Sequence, residues 1–239
     1  MDRLIYYGDA NAVPFYNCSW KSQDEWFETG QKRPWLGYPI TVFGVFIELL
    51  YPPILYIIFK KRLIKHACYK IIFMLALVDM TATVCSCLIS GPLFIQGAVF
   101  CSYPNFIYVA GQLVLSTWCT SCACTLLLFL NRLIFITLPE YSHIIDGNLV
   151  YLSLSFITLY FLFWFFFTPT ICFNSIGMAW YPDPLAMKGQ LCWSVNHGCP
   201  AFIYITMNHT IRREFKRFIF RGSSVEDSTM SVTNTTNKI

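Results

Sequence analysis

The sequence predicts an all-α protein, a polytopic membrane helical bundle with five spans, and three observations lead there. The 239 residues are 56% hydrophobic and only 13% charged, with mean hydropathy +0.50, whereas a soluble domain carries roughly 25% charged residues. The deficit is concentrated: between Lys70 and Arg132 the only charge is Asp79, and between Asp146 and Asp183 there is none. Runs of that length argue for membrane spans, not for a buried soluble core. Lastly, Lys and Arg gather on alternate connections, as the positive-inside rule requires of a multi-span chain. Because the cations are spread along the chain and not collected on one surface, the +4 formal charge gives no support to a nucleic-acid partner.

The elements follow in order. Residues 1–37 are polar and aromatic, with Pro14, Pro34 and Gly37, and read as an extracellular tail. Met1-Asp2-Arg3 leads into polar sequence instead of an apolar h-region, so the first span is expected to direct its own insertion. Residues 38–221 form the bundle. Span one covers Tyr38 to Phe59 and contains Glu48 and Pro52-Pro53, a pair expected to kink it. Lys60, Lys61, Arg62, Lys65 and Lys70 follow, the strongest topological signal in the chain. Span two runs from about Ile71 to Ser90 and is expected to end at Gly91-Pro92. The connection to Asn105 has no Lys or Arg.

Span three is the stretch around which the rest is organised. It has no charge from Phe106 to Leu130, and as helix at ~1.5 Å per residue it reaches ~37 Å, enough for the ~30 Å hydrocarbon layer with some tilt. Cys101 stands outside one end and Asn131-Arg132 at the other. Span four covers about Leu149 to Ile171 and is exceptionally aromatic in YFLFWFFF; Cys172 to Gly189 then reads as a loop. Span five covers about Gln190 to Met207 and is followed by Arg212, Arg213, Lys216, Arg217 and Arg221 interleaved with Ile211, Phe215, Phe218 and Ile219. That pattern suits a helix lying on the cytoplasmic membrane surface, with lipid as its partner. Residues 222–239, rich in Ser and Thr, are expected to be a disordered cytoplasmic tail. With the N-terminus outside, the inner segments hold twelve of the 17 Lys and Arg and the outer segments five. The expected location is therefore a multi-pass integral membrane protein with its C-terminus in the cytoplasm.

A few polar residues stand out. Asp79 falls near mid-membrane in span two, where an ionisable group is costly and faces the bundle interior, either as a switch or as a hydrogen-bonded structural residue. Glu48 in span one and His197 in span five could pair across neighbouring helices, or each find water or backbone by itself. Arg132 could equally be an interfacial cation that snorkels. Asn17-Cys18-Ser19 fits the glycosylation acceptor pattern if this end is lumenal. Of eleven cysteines, Cys101 is the disulfide candidate, with Cys18, Cys172 and Cys192 all open as partners. Cys119, Cys122 and Cys124, like Cys85 and Cys87, lie in apolar helix without acidic or histidine ligands nearby, so they read as small hydrophobes with no metal or cofactor. No hydrolase elbow or zinc-protease motif occurs, and inverted repeats of a transporter are absent, so an enzyme or transporter reading has no support. An oligomerising structural membrane protein is the competing class.

From span two onward the residues become specific. Cys68-Tyr69-Lys70 followed by IIFMLALVDM, Gly91-Pro92, GAVFC, Tyr103-Pro104 and LFLNR resemble the nematode serpentine receptors of class T. Asn17-Cys18-Ser19, Trp26, Arg33-Pro34 and Gly37 look like that family's N-terminal pattern. Trp193, His197-Gly198, Pro200, Ile203-Tyr204, Asn208 and Thr210-Ile211-Arg212 look like its last helix. The resemblance covers most of residues 16–217 and implies a chemosensory seven-span receptor with a small-molecule ligand and a heterotrimeric G protein as partners, at the plasma membrane.

By that resemblance Asp79 matches the second-helix aspartate of a sodium- and water-linked polar network. Asn131-Arg132 matches the inner end of the third helix, with Asn in place of an acid, and Pro200 and Tyr204 match the last-helix motif. The departure is the span count: spans one to four match in order, and the sequence then passes to the last helix within a few residues of Pro184. The fifth and sixth helices look to be missing, a loss of two that keeps the C-terminus inside. Those are the helices whose inner ends move when such receptors respond. A chain without them is expected not to signal alone, and either to be retained and degraded or to associate with full-length related receptors.

Overall fold

The computed structural model describes residues 1–137, 140, 145–182 and 209–220. Among them four helical segments are long and apolar enough to cross a membrane: Pro34–Lys60, Ala67–Gln96, Pro104–Thr137 and Gly147–Phe167. The fifth expected span, with His197, Pro200 and Tyr204, lies outside the described residues. The helices are α1 (Asp2–Tyr7), α2 (Gln23–Thr29), α3 (Pro34–Lys60), α4 (Ala67–Thr83), α5 (Ser90–Gln96), α6 (Pro104–Thr137), α7 (Val150–Phe167) and α8 (His209–Phe220). A two-stranded antiparallel hairpin, β1 (Cys172–Asn174) and β2 (Ala179–Tyr181), follows α7.

Span one is α3. It begins with Pro34 at its first position, where a missing N–H costs nothing, and it is assigned as one unbroken helix through Pro39, Pro52 and Pro53. Span two does not stop at Gly91-Pro92. A π turn, Val84–Ile89, joins α4 to α5 and carries the helix on to Gln96. The wider turn re-registers the backbone just before the proline, and Ser90 Oγ donates to the Cys85 carbonyl at 2.9 Å. Gly97, in the left-handed region at φ 74°, ends it.

Glycines set how closely spans one and two approach. A Cβ on Gly91 would collide with the Thr41 hydroxyl, one on Gly44 with the Cys87 side chain, and one on Gly37 would lie 2.6 Å from the Gly91 carbonyl oxygen. Small residues on both helices thus bring the two backbones together, which is how apolar helices gain dispersion contact where no hydrophobic drive exists.

Span three, α6, outruns its expected end. Asn131 and Arg132 lie inside it and it continues to Thr137, because Leu133 to Ile136 stay apolar and the first breaker is Pro139, whose preceding residue disfavours helix. Span four ends at Phe167, earlier than expected, and the stretch read as a loop contains the hairpin.

The burial gradient across the bundle is steep. Within its most apolar window span two is 61% buried, span three 39%, span one 33% and span four 11%. Span two is therefore the centre, with α3 on one side and α6, then α7, on the other.

Residues 1–33 fold over one end of the bundle. Cys18 is bridged to Cys101, across 83 residues of sequence. Ala10, Val13, Tyr16 and Trp26 are buried together with Phe94, Val99, Phe100, Ile107, Tyr108 and Phe173. Tyr16 meets the rings of Phe100 and Tyr108 edge-on and donates its hydroxyl to the Thr170 carbonyl at 3.1 Å. The backbone N–H of Ala10 donates to Asn105 Oδ1 at 2.7 Å. Arg33 donates from Nε to the Ser175 carbonyl at 2.9 Å and from Nη2 to that of Ile176 at 3.2 Å, which pins the hairpin turn. At the opposite end Ile211 of α8 is fully buried among Ile54, Ile58, Cys68, Ile72, Leu75, Cys124 and Ile157.

Candidate functional site: a polar seam between spans two and three

Asp79 lies on the face of α4 that packs against α6 and is fully buried. The Ser121 hydroxyl of α6 donates to its Oδ1 at 2.9 Å. Most hydroxyls of α6 do something else. Ser116, Thr117 and Thr120 each return a 2.7 Å bond to a carbonyl four residues back, on their own helix. Ser121 is different in crossing to another span. Thr83, one turn beyond Asp79, is fully buried, and among the described residues its hydroxyl has no hydrogen-bond partner. Together these make a polar seam inside an apolar bundle, able to hold a proton or to change hydrogen-bond partners, since a carboxyl there can be satisfied only by its neighbours.

A second polar group lies nearer the capped end. Gln112 of α6 is fully buried and donates Nε2 to the Trp164 carbonyl at 2.6 Å and to the Thr168 carbonyl and hydroxyl at 3.2 and 3.1 Å. It ties α6 to the C-terminal turn of α7, whose last carbonyls have no helical partner. Thr170 Oγ1 donates to the Tyr108 carbonyl at 2.8 Å. Trp180 of β2 donates Nε1 to Ser90 Oγ at 3.0 Å, so the hairpin reaches span two at its π turn. A Cβ on Gly111 would strike the Ile171 carbonyl, which is why the chain can cross there so closely.

The remaining candidates are dispersed. Glu48 is half-buried on α3, and its Oε1 has no hydrogen-bond partner among the described residues; His197, its expected partner, lies outside them. Asn131 is buried on α6 and Arg132 is exposed beside it. Asn17 is exposed, with Oδ1 accepting from the Ser19 backbone at 2.8 Å. Cys101 takes Cys18 as its partner; Cys172 is buried in the same cluster as a thiol, and Cys192 lies outside the described residues. No group of three or more His, Cys, Asp or Glu that could hold a metal occurs among the described residues.

Outside the membrane the electrostatics are local. The Ser22 backbone N–H donates to the Glu25 carboxylate at 2.8 Å and holds it below the usual range, while the Ser22 hydroxyl accepts from the Glu25 backbone N–H at 3.4 Å, a reciprocal cap on α2. Burial lowers the pKa of the Met1 ammonium, which donates to the Phe165 and Phe166 carbonyls at 3.1 Å. Burial also raises that of the Tyr181 phenol.

Sequence reasoning singled out Asp79 but not Ser121, Gln112 or Trp180. A Ser or Gln in an apolar run carries no mark of whether it bonds its own backbone or another helix, and the partners lie 42, 52 and 90 residues away.

Apolar helices spanning in series, one buried carboxyl between spans two and three, a disulfide-anchored cap and cations at the far end define an integral multi-pass membrane protein built as a helical bundle. The model of the serpentine type 7TM GPCR chemoreceptor Srt family matches residues 3–190 and 185–228, and the chain belongs to that family. It is 27% identical over 184 residues to serpentine receptor class T-55 of Caenorhabditis elegans, covering 76% of this chain and 50% of that relative. The chain thus spans about half the length of the curated relative it matches. No solved structure matches it.

Proposed function

We propose that the chain is a chemosensory receptor of the class T type in which the ligand-gated movement is incomplete, so that it does not signal alone. The observation that carries this is spacing. Between Tyr181, the end of the hairpin, and His209, the start of α8, the chain has length for one crossing at ~1.5 Å per residue, where a seven-span receptor needs three. The family match supports it, since the two matched segments meet at residues 185–190, inside that interval. A ligand drives a receptor only through different affinities for two packings of the bundle. Without the fifth and sixth helices Arg132 has nothing to be released from.

The proposed orientation places the Cys18–Cys101 end outside, where disulfides persist, and Lys60 to Lys70 and α8 inside. The ligand is a small environmental molecule, the Asp79–Ser121 seam is the polar switch, and the partner of the intact family architecture is a heterotrimeric G protein. The second reading is an oligomerising protein that binds full-length relatives and lowers their surface level. Span four favours it, being apolar and only 11% buried.

Two experiments test these readings. Asn17→Gln is expected to abolish a glycosidase-sensitive shift, whereas Asn208→Gln and Asn234→Gln leave it; the reverse pattern would invert the topology. The chain expressed with a G-protein reporter is expected to be silent to odorant panels. A saturable response with no full-length relative present would overturn the proposal.

A further inference from the structure

We propose that Phe15 is a platform on which the first N-acetylglucosamine of an Asn17 glycan stacks, so that the sugar becomes a structural part of the outer cap. The chain turns at Val13 to Tyr16, where the Tyr16 backbone N–H donates to the Val13 carbonyl at 3.0 Å. Pro14 takes the second position of that turn and Phe15 the third, with φ 74°. Glycine or asparagine normally takes the third position of such a turn. A bulky side chain with positive φ is a strained outlier, and strain of this kind concentrates where a chain meets a ligand. Phe15 is 87% exposed, so burial does not offset the cost. A strained ring left in solvent is unexplained by packing and points to an occupant from outside the polypeptide.

The burial pattern identifies that occupant. Phe15, Asn17 and Ser19 are exposed, whereas Tyr16 and Cys18 between them are buried. The alternation puts Phe15 and Asn17 on one outward face, ~6.6 Å apart at ~3.3 Å per extended residue. The inward residues hold that face in place, Cys18 through its bridge to Cys101 and Tyr16 through its bond to the Thr170 carbonyl. Asn17 accepts from the Ser19 backbone N–H through Oδ1, which spares Nδ2, the atom that bears the sugar. In the transfer Nδ2 loses a proton and bonds the anomeric carbon of N-acetylglucosamine, displacing the lipid pyrophosphate of the oligosaccharide donor. The C–H face of that sugar carries partial positive charge and lies well on the negative face of an aromatic ring.

The ring also bounds a cavity of about 660 Å³ whose walls come from two segments, α1 and the turn: Asp2, Arg3, Tyr6, Tyr7, Pro14 and Phe15. That volume is within the roughly 300–1,000 Å³ of small-ligand sites. One acid and one base line it, so it suits a neutral sugar better than an ion. Asp2 Oδ1 is already taken by the Arg3 backbone N–H at 2.7 Å. The groups that meet sugar hydroxyls and the acetamide are therefore the Tyr6 and Tyr7 phenols. The inference rests on the outward placement of this end given under the proposed function.

The test uses the full chain made in a glycosylating eukaryotic host and trimmed by an endoglycosidase that leaves a single N-acetylglucosamine. Hydrogen exchange of residues 2–7 and 15–19 is compared with that of Asn17→Gln. The single sugar is expected to slow exchange in both segments by about fivefold, the size of one aromatic contact. Phe15→Ala should remove the slowing, and Phe15→Trp should keep it. In the Asn17→Gln background Phe15→Ala should change exchange by less than about 1.5-fold, since the ring is exposed. If Phe15→Ala does not elute as a monomer, Phe15→Leu, bulky but without a π face, serves instead with the same loss. Intact mass separates the two ways to fail. An Asn17 without sugar in the unaltered chain would overturn the outward placement and this inference with it. A glycosylated Asn17 that protects equally in Phe15→Ala would overturn the platform alone, as would equal Phe15→Ala effects with and without the sugar. Slowing that spares residues 2–7 would overturn the part given to the cavity.

Discussion

Span two and span four are equally apolar, yet 61% of the most apolar stretch of one and 11% of that of the other is buried. Both are apolar enough to enter a bilayer, and nothing in a hydropathy sum separates them. What separates them is where small and polar residues fall. Span two carries Asp79, Thr83, Ser86, Ser90 and Gly91, all buried, and neighbouring backbones approach it closely. Span four presents Leu152, Phe156, Leu159 and Phe163, all exposed, and its Ser153, Ser155 and Thr158 hydroxyls bond their own helix four residues back. In lipid an apolar surface is already solvated, so bulk apolar residues do not drive packing; small residues and cross-helix hydrogen bonds do.

The largest expected effect breaks the centre. Gly91→Leu forces the Thr41 hydroxyl and the Gly37 backbone away and is expected to cost about 3 kcal/mol, read as a lowered unfolding midpoint and loss of monomer by size exclusion. Next is the tie that holds the loosely packed span to the rest. Gln112→Ala removes the donor to the Trp164 and Thr168 carbonyls and is expected to cost about 2 kcal/mol, with faster hydrogen exchange confined to the end of α7. Ser121→Ala removes one bond to a buried carboxyl and is expected to cost about 1–2 kcal/mol, while Ser153→Ala on span four changes the midpoint by less than about 0.5 kcal/mol. A Ser153 effect as large as that of Ser121 would mean that span four has a partner, and would favour the oligomeric reading. Leu159→Ala on the lipid face is likewise expected to stay within about 0.5 kcal/mol.

The smallest effect is a pH dependence in the cap. The Glu25 pKa is lowered in the folded state, so its contribution to α2 is present above the ordinary carboxylate range and fades as pH falls through the depressed value. Fraying of α2 by NMR is expected only under acid. Glu25→Ala removes the carboxylate that the Ser22 backbone N–H holds, so it should give the frayed state at neutral pH with no further acid step; an unchanged acid transition in that variant would show that Glu25 is not its cause.

How much of this was legible can be seen residue by residue. Asp79 could be placed inside the bundle because an ionisable group at mid-span has nowhere else to be. Ser121 could not be named as its partner, because the choice among Ser116, Thr117, Thr120 and Ser121 depends on helix rotation. Cys101 could be expected to form a disulfide, but Cys18, Cys172 and Cys192 were equivalent until residues 1–33 were seen to fold over the capped end. The end of span two was misjudged because Gly91-Pro92 is a strong local stop signal, and a π turn six residues long overrode it.

The sequence by itself determined the membrane class, the four described spans and the segregation of cations, because insertion depends on additive properties of contiguous residues: transfer energy, length and charge. It also determined family membership, since the motifs that mark the family are strings along the chain. Only the tertiary structure decided which span is central, which hydroxyl reaches Asp79, which cysteine bridges Cys101 and that Arg33 pins a hairpin. Those depend on rotation and approach of helices far apart in sequence, where a difference of one methyl group, as at Gly91, decides whether two backbones can meet.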